Sequence, residues 1–260
     1  MRAEIVDDEV YYSLRQKVWG KSEEIIVQSF LSIQTIRHLL SRFNITKYSK
    51  VLDACCASGG ISYYIAKKFD CHVFGVDIDK KSIEIASKKK GASFQKLNFI
   101  CFDLGESIPF ENQFFDAILC LESIIYFDIN MRRSLANEFF RILSNDGKII
   151  ISDPCVINGV VSSVEIDSRS FTHEYFYSTV DSHIALYKDS GFKIDLIEDI
   201  TKDNAYAIPE KMLNARKTYS QPLIKAEGRD LYLETNLFLE ECVSLYKRKV
   251  LCQYAFHLSK

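Results

Sequence analysis

Proline and glycine are scarce, at 4 and 10 of 260 residues. So few breakers leave little room for Pro- or Gly-rich linkers and exclude a largely disordered chain. Metal and disulfide signatures are also missing. The eight cysteines, at 55, 56, 71, 101, 120, 155, 242 and 252, never form C-x-x-C. Most fall within predicted buried strands, where a free thiol packs as a small hydrophobe. We therefore read a reduced, cytoplasmic protein without disulfide framework or metal site. No apolar run is long enough to span a membrane, and the charged N-terminus lacks a signal-peptide core. Net charge is −2 and no basic stripe is present, so nothing draws a nucleic acid to the chain. Lys88-Lys89-Lys90 closes a predicted helix, where cations suit the dipole. There is no internal repeat.

What is present is an alternation of strands and helices. Residues 22–43 read as one amphipathic helix, with Ser22 as cap and an apolar stripe through Ile25, Phe30, Ile36 and Leu40. From Lys50 onward, strands are expected at 51–56, 72–78, 98–103, 115–123 and 148–152. Helices at 61–69, 79–90 and 131–143 separate them, and Asn145-Asp146-Gly147 reads as a turn. Nearly continuous apolar strands between amphipathic helices imply a mostly parallel α/β sheet covered on both faces. Two excursions, at about 155–180 and 201–249, break the rhythm. Between and after them come a helix at 180–190, closed by Gly191, and strands at 192–200 and 250–258. That makes seven strands, the last free to run antiparallel. Excursions of this size are expected to serve as caps over a site. The division read from this pattern is a helical segment 1–46 that closes over the site and a main domain 47–260.

Val51-Leu52-Asp53-Ala54-Cys55-Cys56-Ala57-Ser58-Gly59-Gly60 is the centre of the pattern. An apolar strand ends in an acid, small residues follow, and a helix begins. In open α/β sheets, nucleotide-like ligands bind at such a place, where small side chains admit the ligand and helix N–H groups take an anion. G-x-G-x-x-G does not fit. Four strands end at or near an acid: Asp53, Asp77, Asp103 and Glu122. In a parallel sheet these share one edge and border one crevice. Asp77, ending a second strand, has the position that accepts both ribose hydroxyls.

The segments VLDACCASGG, VFGVDID, FICFDLGESIPF, FFDAILCLESIIYF and FFRILSNDGKIIISDP, in this order and spacing, resemble the class I S-adenosylmethionine-dependent methyltransferases over residues 47–155. The resemblance implies a Rossmann-like fold with S-adenosylmethionine as cofactor. It implies that Asp53, the backbone of Ala54 to Ala57 and Gly59 meet the methionine end. Asp77 would hold the ribose and Ile78 the adenine face. Asp103 would accept the adenine amino group beside Leu104, and Leu121 and Glu122 would lie near the sulfonium. The family usually has glycines where this chain has Cys55 and Ala57, which narrows the space for the amino acid end of the cofactor.

The branch that methylates small molecules is the most similar: the sarcosine and dimethylglycine, phosphoethanolamine and sterol methyltransferases. Its E-S-x-x-H appears here as Glu122-Ser123-Ile124-Ile125-Tyr126, with Tyr126 replacing the histidine. Transfer from a sulfonium is a direct displacement that needs alignment and dryness more than a triad, with a base only where the acceptor carries a proton. Candidate groups are Glu122, Tyr126, His173 and His183. Tyr126 would orient an acceptor or pack. Trp19 resembles an N-terminal element that closes over the cofactor, with core packing as its alternative. The aromatics of 171–177 suit a mainly apolar pocket. The expectation is methyl transfer to an N, O or C atom of a small-molecule acceptor, by a monomer or homodimer without nucleic acid partners. A non-catalytic cofactor-binding protein on the same fold stays open, since fold does not decide activity.

Overall fold

The computed structural model describes residues 29–90, 94–159, 161–162, 175–202 and 207–260. Among the described residues the first helix, α1, covers Ile33–Ser41. Strand and helix then alternate through Lys50–Ala54 (β1), Gly60–Phe69 (α2), His72–Asp77 (β2), Lys80–Lys90 (α3), Leu97–Cys101 (β3) and Phe115–Leu121 (β4). A 3-10 turn at Ile124–Tyr126 leads to Ile129–Ile142 (α4) and Leu143–Val156 (β5). Ser178–Thr179 (β6), Val180–Asp189 (α5) and Lys193–Asp199 (β7) come next. Three helices, Ala207–Thr218 (α6), Ser220–Glu227 (α7) and Arg229–Lys247 (α8), precede the final strand Leu251–Ser259 (β8).

The seven main strands lie in the order β3-β2-β1-β4-β5-β8-β7, and the two-residue β6 pairs with β5. All pairings from β3 to β5 are parallel, whereas β8 runs antiparallel to both β5 and β7. Seven mostly parallel strands with an antiparallel last strand match the sequence expectation. The sheet alternates side chains between two buried faces, as period 2 requires. Leu52, Ile118 and Cys120 join one core with Phe139 of α4 and Tyr187 of α5. Val51, Ala117 and Leu119 join the other with Leu39 of α1 and Ile65 of α2. Burying a leucine or isoleucine such as these contributes roughly 1.5–3 kcal/mol.

Two local expectations are corrected. The helix read over 22–43 is not continuous, since residues 29–32 are not helical and α1 begins at Ile33. Ser32 is extended and its hydroxyl accepts from the Thr35 N–H at 3.1 Å. Phe30 therefore lies outside the helix, and the proposed cap Ser22 lies outside the described residues. The turn at 145–147 is an irregularity inside one strand. Phe115 pairs with Leu143 and Ala117 with Lys148, so the extra residues are absorbed without leaving the ladder. Gly147 permits this, because a Cβ there would sit 2.7 Å from the Leu143 side chain.

Helices α6 to α8 pack together around Leu213, Leu223 and Leu239, with Phe30 against them. Inside this unit the buried Arg216 guanidinium pairs with Glu227 and donates through Nε to Asn236 at 2.7 Å. A buried cation is tolerated only with such partners.

Candidate functional site

The parallel register sets the edge at which the site lies. Ala54 pairs with Val76 on one side and with Cys120 on the other, and Asp77 pairs with Cys101. The carboxyl ends of β1 to β4 are therefore level. Asp77, Asp103 and Glu122 emerge there at or within two residues of a strand end, with Asp53 one residue inside β1.

The loop after β1 turns through three left-handed residues: Cys55 at φ 59, Ala57 at φ 47 and Gly59 at φ 76. Only Gly59 adopts this backbone without penalty. A Cβ at Gly59 would also lie 2.5 Å from the Phe99 ring. The loop is held from β2. Cys56 N–H donates to Val76 O at 2.9 Å and Ala57 N–H to Asp77 Oδ2 at 2.8 Å. The other Asp77 oxygen takes the Asp79 N–H at 2.8 Å. Each carboxylate oxygen has a second acceptor direction, so two remain for a ligand.

A cavity opens above this loop, lined by Ser29, residues 53–58, Gly60, Ile61 and Leu121. Asp53 reaches its wall but is only 3 % exposed, and its Oδ2 accepts the Ser62 hydroxyl at 2.5 Å. Gly75 makes that bond possible: it is the register partner of Asp53, and a Cβ there would lie 2.8 Å from Ser62 Oγ. Burial pushes the Asp53 carboxyl up to about 7, against the pull of the Ser62 bond. Cys55 is half-buried rather than buried as its apolar setting suggested, and its thiol stands against Cys120.

At the opposite end, Ile78 is 63 % exposed beside Asp77, an apolar surface open to a planar ring. Asp103 Oδ1 accepts the Gly105 N–H at 2.8 Å. Leu104 is a core residue at 3 % exposure, so its side chain is not offered to a ligand.

Beyond Leu121 the chain turns sharply at Glu122, whose φ is 53. Its N–H donates to Ser152 O at 2.6 Å, and its Oε2 accepts the Phe30 N–H at 2.6 Å. Aromatic rings continue from this point. Phe30 stacks on Phe238 with centroids 6.1 Å apart, Phe238 on Tyr175 at 6.1 Å, and Tyr175 meets Tyr126 at 5.3 Å. Tyr126 keeps 40 % of its surface exposed, which puts its ring at a rim. Burial of its hydroxyl, with Tyr175 and Glu122 nearby, raises the phenol further, so it stays protonated at neutral pH.

His183 is no candidate base. It is buried at 1 % exposure, its Nδ1 lies 3.2 Å from the Tyr187 hydroxyl, and burial pushes its pKa down to about 3. Trp19 and His173 lie outside the described residues. Sequence reading missed Ser29, Phe30 and Phe238, because aromatics at helical spacing read as core. It also missed Arg132 and Asp153, which gave no signal beyond a charge on a helix and a charge in a strand.

Known proteins share the domain and the fold. Residues 51–147 match the model of the methyltransferase domain family. The phosphoethanolamine N-methyltransferase 1 of Arabidopsis thaliana is 29 % identical over 182 residues, which cover 69 % of this chain and 36 % of that one. The chain thus spans about a third of that relative. Phosphoethanolamine N-methyltransferase 2 of Haemonchus contortus, solved with phosphomonomethylethanolamine and S-adenosylhomocysteine, superposes with a TM-score of 0.81 at 18 % identity, covering 95 % of this chain and 56 % of that one. The cyclopropane synthase MmaA2 of Mycobacterium tuberculosis gives 0.82 at 12 % identity, covering 97 % and 94 %. Over residues 51–147 the chain carries a methyltransferase domain, and it is similar in sequence to phosphoethanolamine N-methyltransferases and in fold to those enzymes and to cyclopropane synthases.

Proposed function

We propose that the chain transfers the methyl group of S-adenosylmethionine to a small, partly apolar acceptor. The observation that carries this reading is the adjacency of two features. Leu121 lines the cavity above the β1 loop, and the next residue, Glu122, meets Phe30 at the start of the aromatic tier. One end suits an adenosyl group and the other an acceptor.

The residues fit the cofactor. The loop from Ala54 to Ala57 presents small side chains to the methionine end, and Gly60 and Ile61, in the first turn of α2, line the same cavity where helix N–H groups have no partner within the helix. Asp53 braces that wall through Ser62. Asp77 takes the ribose hydroxyls on its remaining acceptor directions, with Ile78 against the adenine. Asp103 takes the adenine amino group, with the backbone of Leu104 beside it. Bound there, S-adenosylmethionine supplies a methyl group already activated on a sulfonium for direct displacement.

The chain's own work is alignment, dryness and handling of a proton. Phe30, Phe238 and Tyr175 exclude water and give the acceptor an apolar wall. Aromatic faces also favour positive charge near the sulfonium. The Tyr126 hydroxyl, kept protonated and held against Tyr175, orients the acceptor through its remaining lone pair. Glu122 is the carboxylate placed to take a proton from an N–H or O–H acceptor. Tyr175 and helices α6 to α8 form the substrate-side cap.

The similarity to the Haemonchus contortus enzyme, solved with phosphomonomethylethanolamine, supports the choice of a small acceptor. The test has two arms. Calorimetry with S-adenosylhomocysteine should show binding, and labelled methyl donor offered with a panel of small amines, phenols and unsaturated lipids should show transfer to one class. Binding without transfer to any acceptor would favour a non-catalytic cofactor-binding protein.

A further inference from the structure

We propose that Arg132 is a positioning residue that fixes the two walls of the acceptor site to each other. This rests on the site proposed above for its meaning in catalysis, though its geometry stands apart from that reading. Arg132 lies in the first turn of α4, after the cap Asp128, whose carboxylate accepts the Asn130 and Met131 N–H groups at 2.8 and 2.9 Å. It is only 3 % exposed. A guanidinium offers five donors in a rigid plane, and here they are divided between two segments far apart in sequence. Nε donates to Ile124 O at 3.1 Å and to Phe127 O at 2.7 Å. Nη1 donates to the Ser178 hydroxyl and Nη2 to Phe176 O.

The first segment carries Tyr126 and the second carries Tyr175 and Tyr177, and the rings of Tyr126 and Tyr175 face each other across the join. One backbone bond also links the segments directly, from Phe176 N–H to Ile125 O at 2.8 Å. From the sheet side, the Asp153 carboxylate is buried with the Ile125 backbone close by, and its Oδ1 has no hydrogen-bond partner among the described residues. Arg132 is the neighbouring cation that offsets this buried acid. A methionine of similar volume would fill the space without the cost of burying a charge. What it could not do is hold two strands of backbone at a fixed separation through a planar fork. The wall spacing, and with it the position of Tyr126 over an acceptor, depends on that fork.

Three variants test the assignment in the full chain: Arg132→Lys, Arg132→Met and the milder Ser178→Ala, which leaves the guanidinium in place. Amide exchange is read over 122–128 and 175–180, with 50–60 as the internal reference. S-adenosylhomocysteine affinity and the kcat and KM for phosphoethanolamine, used as a probe acceptor, are read beside it. In Arg132→Lys both wall segments should exchange about tenfold faster while 50–60 is unchanged. Affinity for S-adenosylhomocysteine should stay within about twofold, and any probe turnover should lose about tenfold in kcat/KM. Ser178→Ala should show the same pattern at smaller size. The proposal is overturned if only one wall loosens, or if cofactor affinity falls in step with activity, which is the mark of a purely structural arginine. Should Arg132→Met and Arg132→Lys fail to fold, unchanged exchange in Ser178→Ala overturns it equally. A wild-type protein that does not turn over the probe bears on the acceptor, and the exchange data then decide on Arg132 alone.

Discussion

Replacing Ala57 by glycine should stabilise the protein, against the usual direction of an alanine-to-glycine change. Ala57 sits at φ 47 and is fixed there by the bond from its N–H to Asp77 Oδ2. A left-handed backbone costs an L-residue roughly 1–2 kcal/mol. Glycine removes that cost, but its greater freedom in the unfolded chain takes back about 0.4–1 kcal/mol. The net gain is then roughly 0.5–1 kcal/mol. Ala185 provides the control: it is exposed on α5, and glycine there should destabilise by about 1 kcal/mol. Equilibrium urea unfolding of both variants, at equal m-values, measures a separation between them of roughly 1.5–2 kcal/mol. Affinity for S-adenosylhomocysteine should hold in Ala57→Gly, since the loop keeps its path. If Ala57→Gly destabilises as much as Ala185→Gly, the strain assigned to this loop is absent and the reasoning fails.

Three further outcomes are expected. Between its ordinary 3.8 and about 7, the buried Asp53 binds its proton more tightly in the folded chain, so its contribution is intact below pH 4 and declines as pH rises to 7. The loss is roughly 4 kcal/mol at most. Asp53→Asn should flatten the pH dependence of stability in that window, and an unchanged slope would contradict the burial argument. Asp77→Ala should weaken S-adenosylhomocysteine binding at least about tenfold, because charge-assisted hydrogen bonds are worth roughly 1.5–3 kcal/mol each; equal affinity by calorimetry would remove Asp77 from the ribose. Tyr126→Phe should lower turnover about tenfold with cofactor affinity unchanged, whereas full turnover would mean that the ring only packs.

The sheet was legible because a parallel strand buried on both faces must be largely apolar, as Val51, Leu52 and Ala54 are around Asp53, and as Ala117 to Leu121 are throughout. The level acids at its edge followed from strand ends alone. Other parts had no local signal. Ser32 ends the extended chain and caps α1, yet Ser22 before two glutamates reads as the better cap. Phe30 lies in an apolar stripe and reads as helix, but its N–H is taken by Glu122, 92 positions away. Arg132 reads as a surface charge because its four acceptors are backbone carbonyls and one hydroxyl, drawn from segments that only the fold brings together. Long-range partners of this kind leave no period in the chain.

Cys55, Ala57 and Glu122 are the cases where sequence and structure pull apart most usefully. From the sequence, a cysteine and an alanine where the methyltransferases it resembles usually have glycines suggest a narrowed cofactor loop. In the structure the loop still takes the left-handed path, with all three residues at positive φ. Such backbone persists only where surrounding bonds over-determine it, and they do: Val76 O and Asp77 hold the β1 loop, while Ser152 O and the Phe30 N–H hold Glu122. Positive φ at non-glycine residues occurs elsewhere too, at Asp70, Gln113 and Lys249, each held by a backbone bond but away from the cavity lining. Around the cavity it coincides with the two places where a cofactor and an acceptor would need backbone brought close. The departures from glycine therefore shift cost into stability rather than into shape, and a stability measurement on Ala57→Gly, rather than an activity assay, is where their effect is to be found.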